Sequence, residues 1–474
     1  MTAAKGVLTA LAALAWWVPQ SRTINPPQIV VDRNVRVSVD RSAEYHGELW
    51  ACADPADARQ LLLTSMIYDH AHGEDHSVVY ASHDGGSTWT AALETGPSQD
   101  PACAFGPDGV AFFSHLNIAA DTIETFRSYD SGHHWSPPAV TAAVDREYIT
   151  ADTSSGANRG RIYLYAHDTR DPAVRGREFA LWTSRDGGRT FDSRVMPPPP
   201  VVAAIPGNAV VLSDGTFVEV SNVTLPGGNS EKTGGSRIVG AFFSRDGGAH
   251  VVGPHTVSIQ VPPATEAKGS ATVTSLPFVA VDISTGPRRD RLYVVWADGR
   301  SGRSQILLSY SSDKGNTWST PKAVDDVASG SERSSGPDSS MPAVAVNKDG
   351  IVGVSWYDRR EAVDNRAWRS RISISIDGGD TFVPSVAVSE AMYRPEENLV
   401  PATPPDVLAS RARPSFSQAV FRYTGGDTAG LTVDAAGAFH VFWTDTRTQL
   451  AQVWTSVVRV DATERGRRQS ATEW

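Results

Sequence analysis

One eight-residue pattern recurs six times along the chain, and it restricts the fold more than any other feature of the sequence. Ser82-His83-Asp84-Gly85-Gly86-Ser87-Thr88-Trp89 is a full copy of Ser-x-Asp-x-Gly-x-Thr-Trp. Further copies begin at Ser128, Ser184, Ser244, Ser311 and Ser375. Their aspartates, Asp84, Asp130, Asp186, Asp246, Asp313 and Asp377, are spaced 46, 56, 60, 67 and 64 residues apart. Recurrence of this kind marks one supersecondary unit used many times. The residues suit a hairpin tip: Asp accepts from amides a few residues on, Gly supplies positive φ, and the closing aromatic packs inward. A catalytic group is rarely needed six times over, so the pattern is read as scaffold.

Each copy follows an alternating, strand-like run, and each unit reads as a four-stranded blade. The fifth is clearest, with extended runs at 278–282, 291–296, 305–311 and 322–324 around its tip. The sixth repeats it at 343–346, 351–356, 371–375 and 385–388. A seventh unit, at 430–434, 438–443 and 452–458, has no tip pattern and no fourth strand. The unattached run at 29–37 has the right character to supply that strand and close the ring, removing an exposed edge. The expectation is an all-β propeller over residues 28–461, with seven four-stranded blades; six is the alternative if the fourth unit is not a true blade.

The six tips resemble the Asp-box (BNR) repeats of the sialidase superfamily of β-propellers, over nearly the whole chain. The resemblance is specific for fold and unspecific for function, because the same box occurs in glycan-cleaving enzymes, sorting receptors and assembly factors. The sialidases it resembles have six blades and an Arg-Ile-Pro motif near the start; this chain has no such motif. The resemblance also implies an active face opposite the boxes, where substrate arginines hold an anionic sugar and a tyrosine acts as nucleophile.

Three second strands end in Trp-x-Asp-x-Arg: Trp296/Asp298/Arg300, Trp356/Asp358/Arg360 and Trp443/Asp445/Arg447, with Asp168-Thr169-Arg170 as a relative. The loops after these strands emerge on the face opposite the boxes, as do the connectors carrying Asp100, Asp145, Arg146, Glu147, Tyr148, Asp338 and Asp427. A functional reading makes Glu147, Tyr148, Asp168 and Asp358 the catalytic set and Arg146, Arg300, Arg359, Arg360, Arg447, Asp298 and Asp445 the substrate-binding set. Tyr357, beside Asp358, is a second formal nucleophile. The plainer use of a motif repeated in equivalent places is to tie blade to blade. Residues that break the repeat carry more functional weight: His70, His115, His167, Arg146, Glu147, Tyr148, Arg359 and the segment from Tyr393 to Glu397.

The net charge of −10 argues against nucleic acid as a partner, and no internal apolar run is long enough to span a membrane. An apolar run behind Lys5, with Ala13-Leu14-Ala15 as a small-x-small site, makes residues 1–22 a signal peptide or N-terminal anchor and places the protein outside the cell or in the envelope. Residues 462–474 read as a flexible tail. Cys52 and Cys103 each begin an innermost-strand pattern and are either a bridge between adjacent blades or two buried thiols. No cofactor is expected; the Asp-rich loops could hold calcium, but they lack the Asp-x-Asp-x-Asp-Gly spacing of a calcium site, so no metal site is assigned. The partner class is a glycan or glycoconjugate, with a protein as the alternative, and the chain is expected to be a monomer. The sequence thus leaves two functions: a sialidase-like glycoside hydrolase acting on anionic glycans, or a non-catalytic propeller.

Overall fold

The computed structural model describes residues 27–70, 73–142, 145–168, 178–198, 203–225, 236–263, 276–327, 336–398 and 425–461. The expected signal peptide or anchor at 1–22, the expected tail at 462–474, Thr169, Arg170 and the greater part of the connector between the sixth and seventh units lie outside these residues.

Seven antiparallel sheets follow one another in chain order. Blade one comprises Tyr45–Ala53, Leu61–Asp69, Glu74–Ser82 and Thr90–Thr95; blade four, Ala203–Val211, Phe217–Leu225, Ser236–Ser244 and Val252–Ile259. The fourth unit is therefore a true blade. Blade three has three strands, Asp145–Ala151, Ile162–Asp168 and Glu178–Ser184, and its fourth is reduced to the bridge between Leu181 and Val195. Blade seven holds Gly430–Val433, Phe439–Asp445 and Gln452–Asp461. Its outer strand is Gln28–Val31, paired antiparallel so that Gln28 meets Asp461 and Val31 meets Val458. First strands of successive blades pack against one another, and that of blade seven packs against Tyr45–Ala53 of blade one, so the ring closes.

The six eight-residue tips share one hydrogen-bond plan. The Ser Oγ donates to the Asp carboxylate and accepts the amide of the Gly four residues on, as at Ser82 (2.9 Å to Asp84, 2.9 Å from Gly86) and Ser311 (2.7 Å to Asp313, 2.8 Å from Gly315). The Asp carboxylate accepts the amide and hydroxyl of the Thr beyond in four tips, 2.8 and 2.6 Å at Thr317, and bonds the amide and ring nitrogen of His134 and His250 in the other two. Each tip leans on the preceding blade: a Cβ at Gly315 (φ 85°) would run into the ring of Phe243. Arginines stitch the same seam, Arg127 donating to the Gly188 carbonyl at 2.6 Å and Arg291 to that of Gly378 at 2.9 Å.

Between blades the faces are apolar. Trp296, Trp356 and Trp443 are 0, 1 and 1% exposed. Burying each contributes about 4–6 kcal/mol of transfer free energy at ~25 cal/mol per Å². Cys52 and Cys103 form a disulfide, linking the innermost strands of blades one and two.

Candidate functional site

The face opposite the tips contains two sets of charged groups. The outer set is the Trp-x-Asp-x-Arg triplets. Asp298, Asp358 and Asp445 are 0–1% exposed, and each accepts its own indole N–H, at 3.0, 2.8 and 3.0 Å from Trp296, Trp356 and Trp443. Each also accepts the Nε of its own arginine, at 2.7, 2.8 and 3.0 Å. The arginine then reaches the preceding blade: Arg300 to the Ile259 carbonyl at 2.6 Å, Arg360 to Asp326 at 2.7 Å, Arg447 to Glu390 at 3.5 Å. This is the blade-tying arrangement, with carboxylate and guanidinium both engaged inside the scaffold. Tyr357 and Asp358 do not come together as a nucleophile and base. The Tyr357 hydroxyl accepts the Thr444 amide at 3.2 Å, while Asp358 faces Trp356 and Arg360. Arg359 is 3% exposed, donating to the Asn365 carbonyl at 2.9 Å with its guanidinium over Trp368. Asp338 receives the amides of Ser304 and Asn365 at 2.9 and 2.6 Å. Asp168 is the last residue of its strand.

The inner set surrounds the propeller axis and is built differently. First strands of five blades carry a bulge between matched registers: Gly47/Leu49, Gln99/Ala102, Asp145/Tyr148, Pro206/Ala209 and Ser340/Ala343. Four of these bulges hold a non-glycine residue in the left-handed region, Glu48 (φ 52°), Asp100 (53°), Arg146 (62°) and Met341 (50°). Such conformations cost of order 1 kcal/mol or more each and concentrate at functional sites. Here the bulge re-aims charged side chains that an unbroken strand would direct into a blade face.

Arg146 is the axial cation. It donates to Asp427 at 2.6 Å. Glu48, 5% exposed, accepts the Asp427 amide and the Thr428 hydroxyl, both at 3.1 Å. Gly426 (φ 107°) presses so closely on the main chain of Glu48 that no Cβ fits, which fixes Asp427 at the axis. Asp100, Asp145 and Glu147 complete the ring of carboxyls near the Arg146 guanidinium. Burial, then the charge of Asp427, pushes the Glu48 carboxyl up. Burial also pushes Asp100 up to about 6, opposed by Arg146 and helped by Asp145 and Asp427. Glu147, 0% exposed, has neither carboxyl oxygen hydrogen-bonded; burial and the nearby Asp100 push it well above the usual carboxylate range. Burial opposes the charge on Arg146, but the carboxyls of Asp427, Glu48 and Asp100 outweigh it. The Tyr148 phenol is pushed up by burial and stays neutral.

Of the residues singled out in the sequence, Arg146, Glu147, Tyr148, Asp100, Asp145 and Asp427 come together at the axis. The triplets do not join them. His115 is buried with Glu124 at 3.2 Å, His70 packs edge-on to Tyr68, and His167 is buried in the second strand of blade three. Tyr393 stacks on Trp368 at 4.0 Å and anchors the start of the long connector on this face. Glu48 and Trp50 were not legible as site residues. The signal for Glu48 was a carboxylate interrupting an otherwise uncharged inner run, Tyr45 to Ala53. Trp50 projects across the axis from blade one, stacked on Tyr148 of blade three at 4.4 Å and 5.6 Å from the ring of Phe278 of blade five. Beyond it, toward the tips, the channel widens into a cavity of about 320 Å³. That cavity lies at the tip end of the channel, whereas the resemblance implied a working face only at the other.

Among the described residues no group of three or more His, Cys, Asp or Glu is disposed to hold a metal, and no helix is long and apolar enough to cross a membrane.

No family model matches the sequence, and no curated protein matches it. Among solved structures, a protein of unknown function from Dyadobacter fermentans is similar at 12% identity over 91% of this chain and 99% of that one, with a TM-score of 0.49. The GH93 α-L-arabinofuranosidase of Fusarium graminearum with arabinobiose is similar at 17% identity, over 73% of this chain and 98% of that one, with a TM-score of 0.47. NanB sialidase from Streptococcus pneumoniae is similar at 11% identity, over 90% of this chain and 70% of that one, with a TM-score of 0.43. Likeness this distant says nothing of chemistry, which rests on the axial groups themselves.

Proposed function

We propose that the protein is an exported, sialidase-like propeller that cleaves glycosidic bonds with its axial carboxyl ring. The observation that carries this reading is the set of carboxyls on neighbouring blades, Glu48, Asp100 and Glu147, held by strained bulges with raised proton affinity around one arginine. Glycoside hydrolysis needs a carboxylic acid that keeps its proton near neutrality and a carboxylate that stabilises positive charge on the sugar. Asp100, half-buried and titrating near 6, is the group able to reach a glycosidic oxygen and protonate it. Asp427, salt-bridged to Arg146, is the stabilising carboxylate. Arg146 keeps that carboxylate oriented and offsets part of the cluster's negative charge. The Cys52–Cys103 disulfide supports an oxidising, extracytoplasmic location.

A non-catalytic glycan-binding ring is the second reading, favoured by the near-complete burial of Glu48 and Glu147. The test is release of chromophore from a panel of aryl sialosides, uronides and neutral glycosides between pH 4 and 8. Turnover of at least one, falling with an apparent pKa near 6 as Asp100 loses its proton, supports hydrolysis. No release from any member at any pH leaves the binding reading in its place.

A further inference from the structure

The tip-side cavity is not part of the axial carboxyl ring, and its lining has a different chemistry. Its walls come from the later halves of the first strands of all seven blades, and none of the lining side chains is charged. Its volume falls within the range of small-molecule sites, about 300–1,000 Å³. Pro55, Thr153 and Ile283, in the turns that follow three of those strands, line its tip-side end; Ile283 is 54% exposed, a large apolar side chain left at an opening.

Two features point to what the cavity takes. Each sheet ends at the axis with its first strand, so the N–H and C=O groups along that strand's free edge face the channel. Asn208 occupies one such pair, donating to the Val279 carbonyl at 2.8 Å and accepting its amide at 2.5 Å, which shows that a polar group in the channel can pair with a first-strand edge. At the inner end lies the indole of Trp50, half-buried, with one face covered by Tyr148. An aromatic face set among main-chain groups, with no charged side chain in the cavity wall, matches a ring that is apolar on its face and hydroxylated at its edge.

We infer that the tip-side cavity is a second ligand site, separate from the carboxyl ring, and that it takes a single uncharged sugar ring seated on Trp50. It requires no turnover, so it stands whether or not the carboxyl ring is a hydrolase. The test is saturation-transfer NMR of the full chain with neutral monosaccharides (glucose, galactose, mannose, arabinose, xylose), followed by titration of any that binds. The expected result is binding of at least one sugar, weakened at least tenfold in Ala345→Leu, which adds bulk to a half-buried wall residue. Trp50→Phe, which keeps a ring against Tyr148, should weaken it by a smaller factor. Melting temperature verifies that each variant is folded. Absence of saturation transfer to every sugar overturns the inference. So does binding that Asp100→Asn, at the opposite end of the channel, weakens as much as Ala345→Leu does.

Discussion

At the rim, Asp358 lies between the indole of Trp356 and the guanidinium of Arg360, 1% exposed and accepting from both. At the axis of the same face, Glu147 is as deeply buried, yet neither of its oxygens has a hydrogen-bond partner. Both are carboxyls toward strand ends, near a half-buried arginine. The rim provides one arginine and one indole for each aspartate, three times over in the same geometry. Among the described residues, the axis gathers Glu48, Asp100, Asp145, Glu147 and Asp427 about Arg146. Regular pairing is what a scaffold requires to lock blade to blade. Excess of one charge raises proton affinity, which costs stability and is retained where protons are moved.

Substitution at the rim should have the largest effect and test whether the triplets are structural. Asp358→Ala leaves the Trp356 indole N–H and the Arg360 guanidinium without their acceptor. Removing one partner of a buried pair costs about 3–5 kcal/mol. Urea unfolding should show that loss. A change below ~1 kcal/mol would mean that the rim is not the lock described.

A smaller effect of opposite sign is expected at Asp100. Its folded-state pKa is raised from 3.8 to about 6, so between these values the folded protein holds the proton and the unfolded chain has released it. Stability contributed by this group is therefore present below pH 4 and is lost as pH rises to 6. In Asp100→Asn that loss disappears, and Asn tolerates the left-handed backbone. From pH 4 to pH 7 the variant should gain about 1–2 kcal/mol relative to the wild type, allowing for solvent screening at a half-buried group. Thermal unfolding across that range measures it, and parallel curves for the two proteins would contradict it.

The smallest effect should come from Glu147→Gln. A carboxyl already protonated in the folded state is nearly isosteric with the amide, so the change at pH 7 should stay within about 1 kcal/mol. A loss as large as that of Asp358→Ala would mean that Glu147 is ionised and paired, which erases the contrast between axis and rim.

What could be read from the sequence follows from how local each feature is. The tips were legible because every bond in them joins residues at most a few positions apart, as Ser82, Asp84, Gly86 and Thr88 do. Ring closure was legible by counting, since blade seven lacked a strand and residues 29–37 had none to pair with. Seven rather than six blades depended on the fourth unit, whose strands the insertion near Leu225 separates without abolishing. The axial ring was legible only in part. Arg146, Glu147 and Tyr148 drew notice by breaking the repeat, but a bulge shifts the alternation by one residue, and the alternation around Glu48 did not mark it for the axis. The position of Trp50 depends on blades one, three and five meeting at the axis, and no local pattern encodes that.

On the proposed function, the working groups are the axial carboxyls and the rim triplets are scaffold. Turnover per folded molecule in Asp100→Asn and Asp358→Asn, set beside their melting temperatures, tests it most directly. The account predicts that Asp100→Asn abolishes glycoside cleavage with the melting temperature kept or raised, and that Asp358→Asn lowers the melting temperature while the remaining folded protein keeps its turnover. Full activity in Asp100→Asn, with activity lost in a stably folded Asp358→Asn, would contradict it.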